Sequence, residues 1–217
     1  MTKKSTITLF LIALLFASCG TRKGNNAEQT SNTFDEGVVI NGLRWATRNV
    51  DAPGTFAPYP ESFGMYFQWN RKKGWDATGE TLLGMGWDAV NEEGTAWYAE
   101  NDPCPKGWRV PTRDELRSLA DVDNEWTIQN GIYGRLFGTA PHQIFLPAAG
   151  YHRITSDFKS SAVWVGRVGI YWSSTQFEPN FISDNDYAER LNIENWGNSV
   201  FPSPRRAAYS VRCVSIN

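Results

Sequence analysis

At 217 residues, with 41% apolar and 20% charged side chains, the chain is long enough to bury a core and too apolar for a disordered segment. Its 21 Lys and Arg against 23 Asp and Glu give a formal net charge of −2, which excludes the basic footprint of a nucleic-acid-binding protein. Ten Trp, 19 Gly and 11 Pro point to short strands, many turns and large flat side chains, and away from long helices.

Residues 1–19 read MTKKSTITLFLIALLFASC. Lys3 and Lys4 form a basic start, Leu9 to Ala17 is an unbroken apolar run, and small Ser18 precedes Cys19. These are the three parts of a secretory signal, and the run is too short to span a bilayer as a helix. Phe16-Ala17-Ser18-Cys19 resembles the bacterial lipoprotein signal, which implies cleavage before Cys19 and lipid on its thiol. An ordinary cleaved signal with an incidental cysteine is the alternative. Multiple acyl chains anchor durably, since each buried methylene contributes ~0.8 kcal/mol. Removing residues 1–18 takes Lys3 and Lys4 with it and moves the charge from −2 to −4. Residues 19–36 are polar and aperiodic and read as a flexible tether, so the folded domain is expected over 37–217. With no second long apolar run, the lipid is the expected membrane contact.

In chain order, Val38 to Trp45 (VVINGLRW) reads as two short strands around an Asn-Gly turn. Gly64 to Trp69 (GMYFQW) is an aromatic strand with alternating faces. Residues 70–103 carry Gly, Trp and acidic residues without a period and read as a long loop. Thr112 to Leu119 is the clearest helix: Thr112 caps, Glu115 completes a capping box, and Leu116, Leu119 and Ala120 supply the inward face. Four strand-like runs follow, over Ile144–Leu146, Tyr171–Ser174, Ala188–Ile193 and Tyr209–Ile216. The expected class is α+β, with a small twisted antiparallel or mixed sheet, one or two helices and long loops. If Cys19 carries lipid, Cys104 and Cys213 are left with one intramolecular pairing in a compartment that permits disulfides; two free buried thiols are the alternative.

Four ordered stretches resemble the Fibrobacter succinogenes major paralogous domain, a family of exported Bacteroidetes and Fibrobacteres proteins. They are Gly42-Leu43-Arg44-Trp45 with Asn49-Val50, and Cys104 to Thr112 (CPKGWRVPT) with Glu115 and Leu116; Gly169 to Thr175 (GIYWSST) and Ser210-Val-Arg-Cys-Val214 complete the set. The resemblance implies a C-type-lectin-like fold, shared with the formylglycine-generating sulfatase activators, and a bridge from Cys104 to Cys213. Those activators use a cysteine pair near the C-terminus for copper. Here only Cys213 stands in that region, so an enzyme of that kind fails on ligand count.

The lectin precedent implies calcium-dependent sugar binding through a Glu-Pro-Asn sequence. Glu178-Pro179-Asn180 matches it, and with Asp186 and Asn198 it offers four oxygens for a hard cation. Trp-Gly-Asn-Ser stands where the lectins have Trp-Asn-Asp, and a polar loop turned by Pro179 is the competing reading. His142 and His152 lack zinc spacing. Ser156-x-x-Lys159 and Gly84-x-Gly86 lack the contexts that would make them catalytic or dinucleotide motifs.

Trp45, Trp69, Trp108 and Trp172 stand in the motif stretches and are expected in the core. Trp75, Trp87, Trp97, Trp164 and Trp196 stand in loops, where an exposed ring can stack on a sugar or anchor a partner. Arg205-Arg206 reads as a solvated turn. The expectation is an outer-membrane lipoprotein that acts by binding a glycan or a surface protein, with Trp75, Trp87, Trp97 and Trp196 as the ligand contacts. No cofactor beyond calcium and no nucleic acid are expected. Accessory work in an envelope or fimbrial assembly is the alternative.

Overall fold

Asn41 and Gly42 both take positive φ (49° and 79°), the mirror-image turn whose twist matches that of flanking strands. They close the first hairpin, β1 (Val38–Ile40) against β2 (Leu43–Trp45), as the sequence predicts. The computed structural model describes residues 33–76, 81–82, 94–154, 159–177 and 186–216. The remaining strands in chain order are β3 (Tyr66–Gln68), β4 (Gly74–Trp75), β5 (Thr81–Leu82), β6 (Trp108–Arg109), β7 (Asn124–Gln129), β8 (Ile132–Thr139) and β9 (His142–Pro147). They continue with β10 (Tyr151–Ile154), β11 (Lys159–Val163), β12 (Val168–Gln176), β13 (Tyr187–Glu194), β14 (Gly197–Pro204), β15 (Ala208–Tyr209) and β16 (Val214–Ser215). The helix α1 (Arg113–Ala120) begins at Thr112, with both capping-box bonds formed, and buries Leu116 and Leu119 as expected.

These strands make four sheets, in the orders β1-β2-β16-β6, β4-β3-β15-β10-β11-β5, β12-β13-β14 and β7-β8-β9. Strands account for 47% and helical residues for 7% of the described residues, with one α-helix among them. The α+β, C-type-lectin-like arrangement is therefore corrected to a mostly β architecture. Several strands do not alternate cleanly in sequence. Gly134 and Gly138 interrupt β8, where a Cβ at Gly134 would meet the Leu146 carbonyl oxygen at 2.3 Å. Pro202 and Pro204 sit in β14, an edge strand, where a missing N–H costs no ladder bond.

The expected strand Tyr209–Ile216 is two strands in two sheets. Ala208 and Tyr209 pair β3 through Gln68 and Phe67, and Val214 pairs both Trp45 of β2 and Arg109 of β6. Residues 210–213 cross between the sheets and carry Cys213, which is bonded to Cys104 with a Cα–Cα distance of 6.1 Å. Trp69, Trp172, Val211 and Cys213 belong to one buried cluster, and Trp45, Leu116, Phe137, Leu191 and Val214 to a second. Trp108 is half-buried, edge-on to Phe56 at 5.5 Å.

The motif residues build this frame. Arg212 is fully buried and donates from Nε (3.0 Å) and Nη2 (2.7 Å) to Asn49 Oδ1, from Nη1 to the Ala46 carbonyl, and from Nη2 to that of Phe145. Loss of hydration pushes its guanidinium down to about 10. Trp172 Nε1 donates to the Phe67 carbonyl at 2.7 Å. Arg205, expected in a solvated turn, is instead buried, with its guanidinium 4.0 Å from the Trp69 ring centroid and Nη2 on the Gly94 carbonyl.

Candidate functional site

Three turns converge on one aromatic cleft. The first is the tip of the β7–β8 hairpin, closed by Asn130 and Gly131, both with positive φ (48° and 83°). Alternation along these strands puts Trp126 and Ile128 on one face, opposite Arg135 and Tyr133. Trp126 and Tyr133 meet on the diagonal, with centroids 6.3 Å apart and planes 19° from parallel. The second turn is Asn195-Trp196, which joins β13 to β14 at the Glu194↔Gly197 pair. Its Trp196 is 83% exposed.

The third turn joins β11 to β12. The Trp164 carbonyl accepts from Arg167 N (3.0 Å) and Val168 N (3.2 Å), and Gly166 N donates to the Ala148 carbonyl. Trp164 holds φ at 60°, a region that costs a non-glycine residue on the order of 1–3 kcal/mol. Its ring is 59% exposed and stands edge-on to Tyr151 at 6.1 Å. Trp126, Tyr133, Trp164, Arg167, Glu194 and Trp196 thereby line a cleft of about 400 Å³.

Arg135 holds the wall of this cleft. It is only 6% exposed, yet its guanidinium bonds the Asn124 side-chain oxygen and the carbonyls of Glu194 (2.6 Å) and Asn195 (3.4 Å). Asn198 Nδ2 donates to the same Asn124 oxygen at 3.0 Å. Those partners are all neutral, and burial alone lowers the Arg135 pKa. The buried cation thus fixes the turn that presents Trp196.

The sequence-predicted site residues scatter. Trp196 lines the cleft, but Trp75 and Trp97 are core residues, 5% and 8% exposed, so neither ring is free to meet a ligand. Trp75 packs with Tyr66, Ala149 and Ala208 under Lys73, whose Nζ lies 4.4 Å from the ring centroid. Trp97 tilts against Trp69 at 5.9 Å and donates to the Asn101 carbonyl. They are buried because the stretch read as one loop folds back, with β4 paired to β3 and Ala96-Trp97 paired to Ser174-Thr175 of β12. Trp87, Glu178, Asn180 and Cys19 lie outside the described residues.

Asp186 and Asn198 are not brought together. Asn198 pairs Ile193 at one end of the β13–β14 hairpin, while Asp186 precedes the other end. Seven residues of strand separate the two levels by roughly 23 Å, too far for one calcium. Among the described residues no group of three His, Cys, Asp or Glu side chains could hold a metal. His152 is buried with Nε2 2.8 Å from the Asp76 carbonyl oxygen, and burial lowers its pKa.

Trp126, Tyr133, Arg135, Arg167 and Glu194 escaped the sequence reading. Asn130-Gly131 between Trp126-Thr-Ile128 and Ile132-Tyr133 carries the same hairpin signature as Asn41-Gly42 and would have found the first two. No family model, curated protein or solved structure matches the chain.

Proposed function

We propose that this chain is an exported, lipid-anchored binding module of the bacterial cell envelope that recognises a glycan through the aromatic cleft and performs no catalysis. The single observation that carries this reading is the concentration of Trp126, Tyr133, Trp164 and Trp196 in one half-open cleft beside Arg167, Glu194 and Asn195. Flat rings match the apolar faces of pyranoses, and planar polar side chains match their hydroxyls. The strained backbone at Trp164 supports it too, because the fold tolerates strain to hold that ring outward.

The export and lipid anchor rest on Lys3, Lys4, the Leu9–Ala17 run and Cys19. The ordered motifs from Gly42 to Val214 support membership of the Fibrobacter succinogenes major paralogous domain family. Gly20-Thr21-Arg22-Lys23 lacks an acidic cluster of the kind associated with surface export in Bacteroidetes, which favours the periplasmic face of the outer membrane. A surface-protein ligand is the second reading, favoured by exposed Ile128 and Val165 beside the cleft.

A glycan array probed with the purified full chain tests the glycan reading. Binding that falls at least tenfold in a Trp164→Ala/Trp196→Ala double variant supports it. Binding unchanged in that variant moves the site elsewhere, and capture of an envelope protein with no sugar binding favours the second reading. Cys19→Ser should abolish incorporation of labelled fatty acid and release the chain from membranes. Retained label would place the lipid on a residue other than Cys19.

A further inference from the structure

Charge in the cleft is unevenly answered. Arg167 is exposed, and among the described residues its guanidinium makes no hydrogen bond or ion pair, including none to Glu194 across the same cleft. Arg135, behind the Asn195-Trp196 turn, is a buried cation whose partners are a side-chain amide and two carbonyls. Glu194 is the acid of the cleft lining, and it already lies in the field of half-buried Arg190. A chain of net charge −2 therefore gathers a local surplus of positive charge where its exposed aromatic rings gather.

Resting on the glycan reading, we propose that the cleft selects a carboxylated pyranose, with the ring stacked on the Trp and Tyr faces and its carboxylate paired by Arg167. A guanidinium presents two parallel N–H donors that match a carboxylate bidentately, and such charge-assisted bonds are about twice as strong as neutral ones. A neutral sugar would leave the surplus unanswered. The shared chemistry is one ring bearing one carboxylate, and a hexuronate chain and a terminal sialic acid are its two sources.

Calorimetric titration of the purified full chain decides the matter, with trigalacturonate against its methyl ester and 3′-sialyllactose against lactose. The acid of at least one pair should bind tenfold or more tighter than its neutral counterpart at low salt, and that pair identifies the source. The preference should shrink as salt rises to 0.5 M. Arg167→Gln should remove the preference by bringing the acid's affinity down to that of its neutral counterpart, and Arg167→Lys should keep part of it. Equal affinity for acid and neutral forms, or a preference that survives Arg167→Gln, would overturn the assignment. Failure of all four sugars while the array still shows binding that depends on Trp164 and Trp196 would overturn this inference alone, and an array with no such binding would overturn the glycan reading with it.

Discussion

Trp164 holds a backbone conformation that favours glycine, and it spends the position on an exposed indole. Stability and binding should therefore separate there. Trp164→Gly removes both the ring and the strain, whereas Trp164→Ala removes the ring alone. The glycine variant should be the more stable of the two by about 1 kcal/mol in urea unfolding, while both lose binding. Equal stability would place the strain elsewhere. At the other extreme, Arg212 is fully buried, and what it touches is backbone carbonyls and Asn49. That contrast explains why the motif residues are legible in sequence yet say little about the site. They are the buried polar pins of the frame, where desolvation punishes any unpaired group. The cleft residues face solvent, where nothing in the local pattern enforces them.

At the scale of elements, two hairpins with the same Asn-Gly turn do different work. A Cβ at Gly42 or at Gly131 meets nothing within 4 Å, so alanine there costs only the positive-φ penalty of about 1 kcal/mol. Gly131→Ala should also weaken ligand binding, because its hairpin carries Trp126 and Tyr133. Gly42→Ala should leave binding unchanged, and a parallel loss in both variants would break the link between the second hairpin and the site.

The helix α1 offers a pH test. Burial opposes ionisation of Glu115, but bidentate bonds from Arg109 (2.8 and 2.6 Å) and the Thr112 backbone N–H outweigh it and lower its pKa. A lowered carboxylate pKa contributes stability above the unfolded value of 4.5, lost as pH falls through the folded value. Glu115→Gln should thus cost about 1 kcal/mol near pH 7, with the gap closing below about pH 4. A gap independent of pH would mean that only the cap's shape matters.

For the whole molecule, the Cys104–Cys213 bridge ties residue 213, between the two C-terminal strands, to the loop before β6 across a sequence separation of 109. A loop of that length corresponds to about 4–5 kcal/mol on the chain-entropy model. A Cys104→Ser/Cys213→Ser variant should melt about 10 °C below the parent by calorimetry. A difference under about 2 °C would mean that β15 and β16 are held by pairing alone. The mostly β class is decided at this scale, since strand pairing between β3 and β15, or β2 and β16, joins residues more than 100 positions apart.

The amino-acid sequence by itself determined the local pieces: the Asn41-Gly42 hairpin, the capped helix at Thr112, and the buried fate of Trp45, Trp69 and Trp172. Turn chemistry, capping and apolar alternation act over a few residues, so they can be read in a few residues. The pairing of Cys104 with Cys213 also follows once export is granted. Only the tertiary structure decided which tryptophans are exposed. Trp75 and Trp196 look alike in sequence, yet one is covered by β3 and its neighbours and the other stands on a two-residue turn held by Arg135. Burial is a property of what lands on a side chain, and the covering elements here come from distant parts of the chain.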